Sequence, residues 1–270
     1  MNTVVVSSSM ERLNSADFRL LQEAARLGEL HVLLWSDDAV RTLTGREPRY
    51  PQSEREYVLQ AVRYVHRVHV SGPRVNPDVL PDGLPFKPGT WVIEPGSQCT
   101  AKRAFCAAAG LRLHVLAAGD LAGFPEPPAD PPSGKTKVIV TGCYDYFHSG
   151  HVRFFEEVAG LGDLFVVVGN DANVRLLKGA GHPLLTEAER RFTVGAIRHV
   201  KQALVSTGMG WMDAEPEIAW IKPDLYAVNE DGDKPEKREF CQNHGIEYVV
   251  LKRVPKEGLT RRSSTDLRGF

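Results

Sequence analysis

Apolar and polar positions along this chain switch between two periods, and they do so twice. Short β-branched runs, Val4–Val6 and Val138–Val140, each lead into a stretch whose apolar residues recur every three or four positions. In the second such stretch Phe154, Phe155, Val158 and Leu161 share one face, which predicts a helix from about His148 to Leu161. LFVVVG, Leu164 to Gly169, is apolar on both faces, as a strand buried in a parallel sheet must be. TEAERRFTVGAIRHV opens with Thr186-x-x-Glu189, a capping box, and reads on as a helix. LYAV, Leu225 to Val228, predicts a strand, Lys234 to His244 a helix stopped by Gly245, and IEYVVL a closing strand. Strands and helices in this alternation predict an α/β fold with a doubly wound parallel sheet, whose ligands sit at the carboxyl ends of the strands.

The pattern is a repeat. Val4 to Gly45 aligns with Val138 to Gly179 without a gap, and roughly a third of the positions are identical. After one residue of slippage SEREYVLQAVRYV lies over AERRFTVGAIRHV, and the segment from Lys87 lies over the segment from Lys222. The fold expected is therefore two tandem Rossmann-like domains. Residues 1–118 form the first copy, 119–135 a linker and 136–270 the second copy. Proline is dense between Ala117 and Lys135, which excludes helix interiors and central strands and predicts an extended, semi-rigid connection. Cys106 and Cys241 occupy the same position of the repeat, in KRAFC and KREFC, and are read as small apolar residues of a packed face.

Charge and composition mainly exclude partners. A net charge of −1 gives no electrostatic case for nucleic acid or an anionic membrane surface. No apolar run approaches the roughly 20 residues of a membrane helix, and the N-terminus lacks a signal-peptide pattern. The four cysteines contain no CxxC pair, which argues against a zinc knuckle or redox dithiol. A cytoplasmic, reduced protein is expected.

The chemistry concentrates in TGCYDYFHSGH, Thr141 to His151, at the turn from the first strand into the first helix of the second copy. Backbone N–H groups around Gly142 and Ser149-Gly150 can point at an anion, helped by the helix dipole. His148 and His151, three apart on the first turn, would face the same phosphates. A zinc clip would need further ligands, and no cluster supplies them with recognisable spacing, so no protein-held metal is expected.

GCYDYFHSGH resembles the G-x-[FY]-D-x-x-H-x-G-H signature of the cytidylyltransferase branch of the nucleotidyltransferase superfamily. Arg175–Gly179 (RLLKG) is similar to that family's lysine-bearing segment, EAERRFTVGAIRHV to its E-x-R helix, and RRSSTDLRG to its closing signature. The tandem arrangement is most like ethanolamine-phosphate cytidylyltransferases, with glycerol-3-phosphate cytidylyltransferases and heptose-phosphate adenylyltransferases as near relatives. The resemblance implies transfer of a nucleoside monophosphate, CMP from CTP, to a small phosphorylated acceptor with release of pyrophosphate. An adenylyltransferase using ATP on a sugar or polyol phosphate is the first alternative. A catalytically silent nucleotide-binding regulatory protein is the second.

By the same resemblance His148 and His151 would donate to the triphosphate, and Lys178 would bridge the α-phosphate and the incoming phosphate. Gly142, Cys143, Tyr144, Asp145, Gly150, Arg190, Asn229, Ser263, Ser264 and Thr265 would bind the nucleotide, with Asp145 ordering the turn or touching it. Mg²⁺ would ride on the phosphates, largely water-coordinated. His182 stands where the family carries an arginine. In the first copy Asn14, Asp17 and Thr44 replace His148, His151 and Lys178, and Ala16 replaces Gly150. That copy is therefore expected to be inactive, packing as an internal pseudo-partner in a monomer or within a homodimer.

Overall fold

The structure is a computed structural model, and it describes residues 2–97, 99–126, 131 and 133–263. The chain divides into two compact units, Met1–Gly123 and Phe124–Phe270. The division falls inside the proline-rich stretch.

The first unit contains strands β1 (Thr3–Ser8), β2 (Glu29–Leu34), β3 (Arg67–Val70), β4 (Thr90–Ile93) and β5 (Arg112–Val115). Its helices are α1 (Ser15–Ala25), α2 (Asp37–Thr44), α3 (Gln52–Ala61) and α4 (Thr100–Ala109). The second unit repeats them as β6 (Lys137–Gly142), β7 (Asp163–Val168), β8 (Val200–Val205), β9 (Leu225–Asn229) and β10 (Glu247–Leu251). Its helices are α5 (Ser149–Ala159), α6 (Asp171–Lys178), α7 (Glu187–Gly195), α8 (Glu215–Ile221) and α9 (Pro235–His244). Each sheet has five strands, in the orders β3-β2-β1-β4-β5 and β10-β9-β6-β7-β8. All observed pairings are parallel. In both units the sequence-first strand is central and its neighbours run outward in opposite directions, the topology of a Rossmann-like α/β sheet.

Burial explains the apolar runs. Val138, Ile139 and Val140 of β6 are fully buried, as are Val4 and Val5 of β1. Phe155 and Val158 of α5 are fully buried against the sheet, whereas Leu161 lies beyond the helix and is 40% exposed. Cys241 lies in a core cluster with Ile139, Tyr226 and Ile246, and Cys106 in one with Val5 and Trp91. Burial pushes the Cys241 thiol up to about 11, so it packs as an apolar group. The helix predicted through Val200 stops at Gly195, and β8 begins at Val200. Within the proline-rich stretch Ala118–Leu121 forms a 3₁₀ turn. The Phe124 ring packs on Phe192 at 5.8 Å, and the Phe124 carbonyl accepts from Arg191 at 3.1 Å. No helix among the described residues is long and apolar enough to cross a membrane.

Candidate active site

The carboxyl end of β6 runs into α5 through Cys143–Phe147, and this turn is built by buried polar residues. Tyr144 adopts a left-handed backbone, φ 57°, which returns its ring over Gly142, where a Cβ would come within 2.8 Å of the ring. The ring is buried, packs edge-on against His151 at 5.2 Å, and its hydroxyl is held protonated by burial. Asp145 turns away from the cleft. It accepts from Leu184 N at 2.8 Å, Leu185 N at 3.0 Å and His182 Nδ1 at 3.1 Å, which ties the turn to the loop before α7. Those contacts and the Arg190 charge hold its carboxyl below the ordinary range against the opposing effect of burial. His182, in place of an arginine, is thus a partner of Asp145.

Arg190 also lies under the turn. It is fully buried and donates to Leu185 O at 3.0 Å, Cys143 O at 2.8 Å and Asp171 Oδ1 at 2.7 Å. Its guanidinium braces the β6–α5 turn from beneath.

At the N-terminus of α5 His148 is the cap residue, φ −154° and ψ 171°, with Nδ1 accepting from Gly150 N at 3.1 Å. An Nδ1 used as acceptor places the neutral ring's proton on Nε2, which makes that atom a donor. Gly150 permits the fold-back, since a Cβ there would lie 2.8 Å from the imidazole. One turn on, His151 stacks against His148 with ring centroids 4.0 Å apart. Its Nδ1 is buried and has no hydrogen-bond partner. Burial, followed by the electrostatic influence of the adjacent His148 ring and of Arg253 and Lys178, pushes His151 well below its ordinary value of 6.5, so the ring is neutral. Two close imidazoles at a helix N-terminus, one a fixed Nε2–H donor and one neutral, form a site prepared for anionic oxygens.

The cleft above them is lined by Gly142, Cys143, Tyr144, His148, Gly150, His151, Asn229 and Ser263, all expected from sequence. Asn229 ends β9 and leaves a buried Oδ1 without a partner at the cleft wall. Lys178 ends α6 as an exposed residue outside the cleft lining, close enough for its charge to act on His151. Ser264 and Thr265 lie outside the described residues. Two cations were missed by the sequence reading. Arg253 follows β10, pairs with Asp231 at 2.5 Å and donates to Arg262 O at 2.8 Å, which tethers the closing segment across the cleft. Lys237 of α9 also lines the cleft, with its ammonium 5.7 Å from the Tyr226 ring centre and its proton affinity lowered by burial. The carboxyl-edge rule would have flagged Lys252-Arg253, which directly follows the last strand.

Among the described residues lining this cleft Asp231 is the one carboxylate, and it is paired with Arg253. The lining therefore suits phosphate and offers no carboxylate cage. A Mg²⁺ here would be held by phosphate oxygens and water.

Residues 139–268 match the protein family described as Cytidylyltransferase-like. The chain is 36% identical over 134 residues to a FAD synthase of Ferroglobus placidus, spanning 48% of this chain and 84% of that protein. It is 33% identical over 134 residues to a FAD synthase of Archaeoglobus profundus, spanning 48% and 83% respectively. To the Bifunctional protein HldE of Pelobacter propionicus it is 41% identical over 136 residues, 49% of this chain and 27% of that one.

Proposed function

The chain belongs to the cytidylyltransferase-like nucleotidyltransferase family, and from that premise we propose that its second unit transfers a nucleoside monophosphate from a nucleoside triphosphate to a small phosphorylated acceptor. The observation that carries this reading is the His148–His151 pair. One histidine is locked as an Nε2–H donor by its cap bond, the other is held neutral by burial, and the two stack at 4.0 Å on an anion-binding helix terminus. In the reaction a phosphate oxygen of the acceptor attacks the α-phosphorus in line. The new P–O bond forms as the bond to the β-phosphate bridging oxygen breaks, and pyrophosphate leaves. His148 and His151 stabilise the charge that builds on the phosphates, and Lys178 and Arg253, whose charges both reach His151, add cations. Asp145 and Arg190 act as positioning residues that fix the turn. A Mg²⁺ held by the nucleotide's phosphates and water would supply charge neutralisation; the chain contributes alignment and hydrogen bonds.

The donor base rests on two different supports. FAD contains an adenylyl group joined to a flavin phosphate, so the FAD synthases that match most of their length to this chain favour ATP. The GCYD and STDL runs favour CTP with an amine or polyol phosphate. We place ATP first. The first unit is proposed to be silent in this reaction, because its matching turn carries Asp17 where the second carries His151.

Pyrophosphate release from ATP and CTP across flavin, sugar, polyol and amine phosphates tests the assignment. Release with one donor and one acceptor class is expected, falling about 100-fold or more in His148→Ala. Unchanged turnover in His148→Ala would overturn the site, and nucleotide binding without turnover on the whole panel would overturn the reaction.

A further inference from the structure

We propose that the first unit holds a divalent transition-metal ion, zinc by its donor set, between Glu29, His31 and His66, far along the chain from the histidine pair of the second unit. Glu29 opens β2, His31 is two residues on, and His66 immediately precedes β3, the strand paired with β2. The linear spacing conceals the group; strand pairing assembles it. One ligand atom from each of the three side chains falls within 4.8 Å of the other two.

Two of the three separations already fit a tetrahedral ion. Glu29 Oε1 lies 3.2 Å from His31 Nε2 and 3.4 Å from His66 Nε2. Ligands about 2.0–2.1 Å from a tetrahedral centre stand about 3.3 Å apart. The third separation can close by movement of His66, whose side chain is 52% exposed. His31 is the buried anchor, with its side chain 8% exposed, and His66 and Glu29 give a path from solvent. Two imidazoles and a carboxylate suit zinc and leave a fourth position for water.

A supporting group stands behind the anchor. His31 Nδ1 lies 2.9 Å from His69 Nε2, and Phe86 packs on both rings at 4.1 and 4.8 Å. In the tautomer that donates from Nδ1 to His69, the His31 Nε2 lone pair faces Glu29. That pairing of a ligating imidazole with a second acceptor is how metal-bound histidines are oriented.

The second unit supplies the internal comparison. Asp163, Phe165, Lys201 and Leu204 occupy the positions of Glu29, His31, His66 and His69. There the Lys201 ammonium stands 4.0 Å from the Asp163 carboxylate. One copy answers its carboxylate with a covalently held cation, and the other surrounds it with neutral ligands that can take a cation from solution.

The test uses the untagged full chain, equilibrated with Zn²⁺ and dialysed, with metal measured per chain by atomic emission. Co²⁺ substitution reports geometry through its visible bands. One ion per chain with a tetrahedral cobalt spectrum is expected, retained in His148→Ala. It should be lost in Glu29→Gln and in His66→Ala, two substitutions at partly exposed positions whose folding circular dichroism will check. His69→Phe should weaken zinc binding about 10- to 100-fold. Absence of a retained ion in the parent chain, or one that persists in both Glu29→Gln and His66→Ala, would overturn the site. So would loss of the ion in His148→Ala, which would place it in the second unit.

Discussion

The same strand-to-helix turn is built twice in this protein, and the two versions share their scaffold while differing in their charge. Asn14 caps α1 by accepting from Asp17 N at 3.3 Å, where His148 caps α5. Met10 takes the left-handed backbone that Tyr144 takes, φ 48° against 57°. Arg55 repeats Arg190 nearly bond for bond. It is fully buried and donates to Tyr50 O at 2.9 Å, Ser9 O at 2.5 Å and Asp37 Oδ1 at 2.6 Å. Above this common frame the cleft of the first unit contains Arg12, bonded to Asp17 at 2.8 Å and to Glu94 at 3.0 Å. Asp17 and Glu94 align with His151 and Asn229. Where the second unit presents donors to an anion, the first closes two carboxylates around its own guanidinium. Residues common to both versions are thereby marked as architecture, and residues that differ as chemistry.

The strongest way to break this comparison is to write the first unit's residue into the second. His151→Asp places a carboxylate beside His148 and against the polyphosphate. Nucleotidyl transfer should fall by about 1,000-fold or more, beyond the loss of one donor, because repulsion is added to it. Circular dichroism should be unchanged, since α1 forms with Asp17 at the same position. Pyrophosphate release and nucleotide binding measure it; retained binding would mean that the charge at this position does not separate the units.

The shared strut gives the next largest effect, and it should be alike in both units. Arg190→Ala and Arg55→Ala each leave a carboxylate and buried carbonyls without their donor. Each should cost about 3 kcal/mol, the low end for breaking a buried pair, because Asp171 and Asp37 keep 30% exposure. Urea unfolding measures both. A loss confined to one of the two would mean that the struts are not equivalent.

The aligned positions 17 and 151 should also respond to pH in opposite directions. Burial first, with the electrostatic influence of the adjacent His148 ring and of Arg253 and Lys178, holds His151 below its ordinary 6.5. The unfolded chain therefore takes up the proton first as pH falls past 6.5. Stability from this group is complete above that point and declines below it by up to about 1.4 kcal/mol per pH unit. Burial instead lifts the Asp17 carboxyl above its ordinary 3.8, against the pull of Arg12, so its contribution declines as pH rises through that raised value. Denaturant unfolding of the parent chain and His151→Leu at pH 7 and 5.5 should show a larger acid loss in the parent, the remainder coming from His69 and His199, which burial also lowers.

Much of this scaffold was legible in the sequence because it rests on local signals. β-branched runs gave the central strands, and the ungapped repeat gave two copies of one unit. The end of α7 was not legible: GAIRHV carries no proline after Gly195, and its apolar spacing suits helix or strand until β7 is there to pair with β8. At the site, the histidines were legible because they are close in sequence. That Arg190 is fully buried and braces the turn was not legible, because the partners of a guanidinium are set by the packed fold and leave no mark in the linear sequence. Lys237 and Arg253 were missed because a cleft wall contributed by α9 and the chain after β10 has no linear signature.

The smallest expected effect bears most directly on why the first unit differs. Arg12 is 53% exposed, so its two ion pairs are partly screened and together contribute about 1 kcal/mol. Arg12→Ala should destabilise the chain by that amount at pH 8, where the Asp17 and Glu94 carboxyl groups lose the guanidinium between them. The deficit should shrink as acid protonates Asp17, whose carboxyl burial already lifts. A thermal-shift series from pH 8 to 4 measures this convergence. The same variant opens the cleft, and it should still bind no nucleotide, because removing the guanidinium exposes two carboxylates to the incoming phosphates. Binding that maps to the first unit in Arg12→Ala would show that the arginine acts as a plug over a working site, and the contrast between the units would have to be redrawn around that side chain.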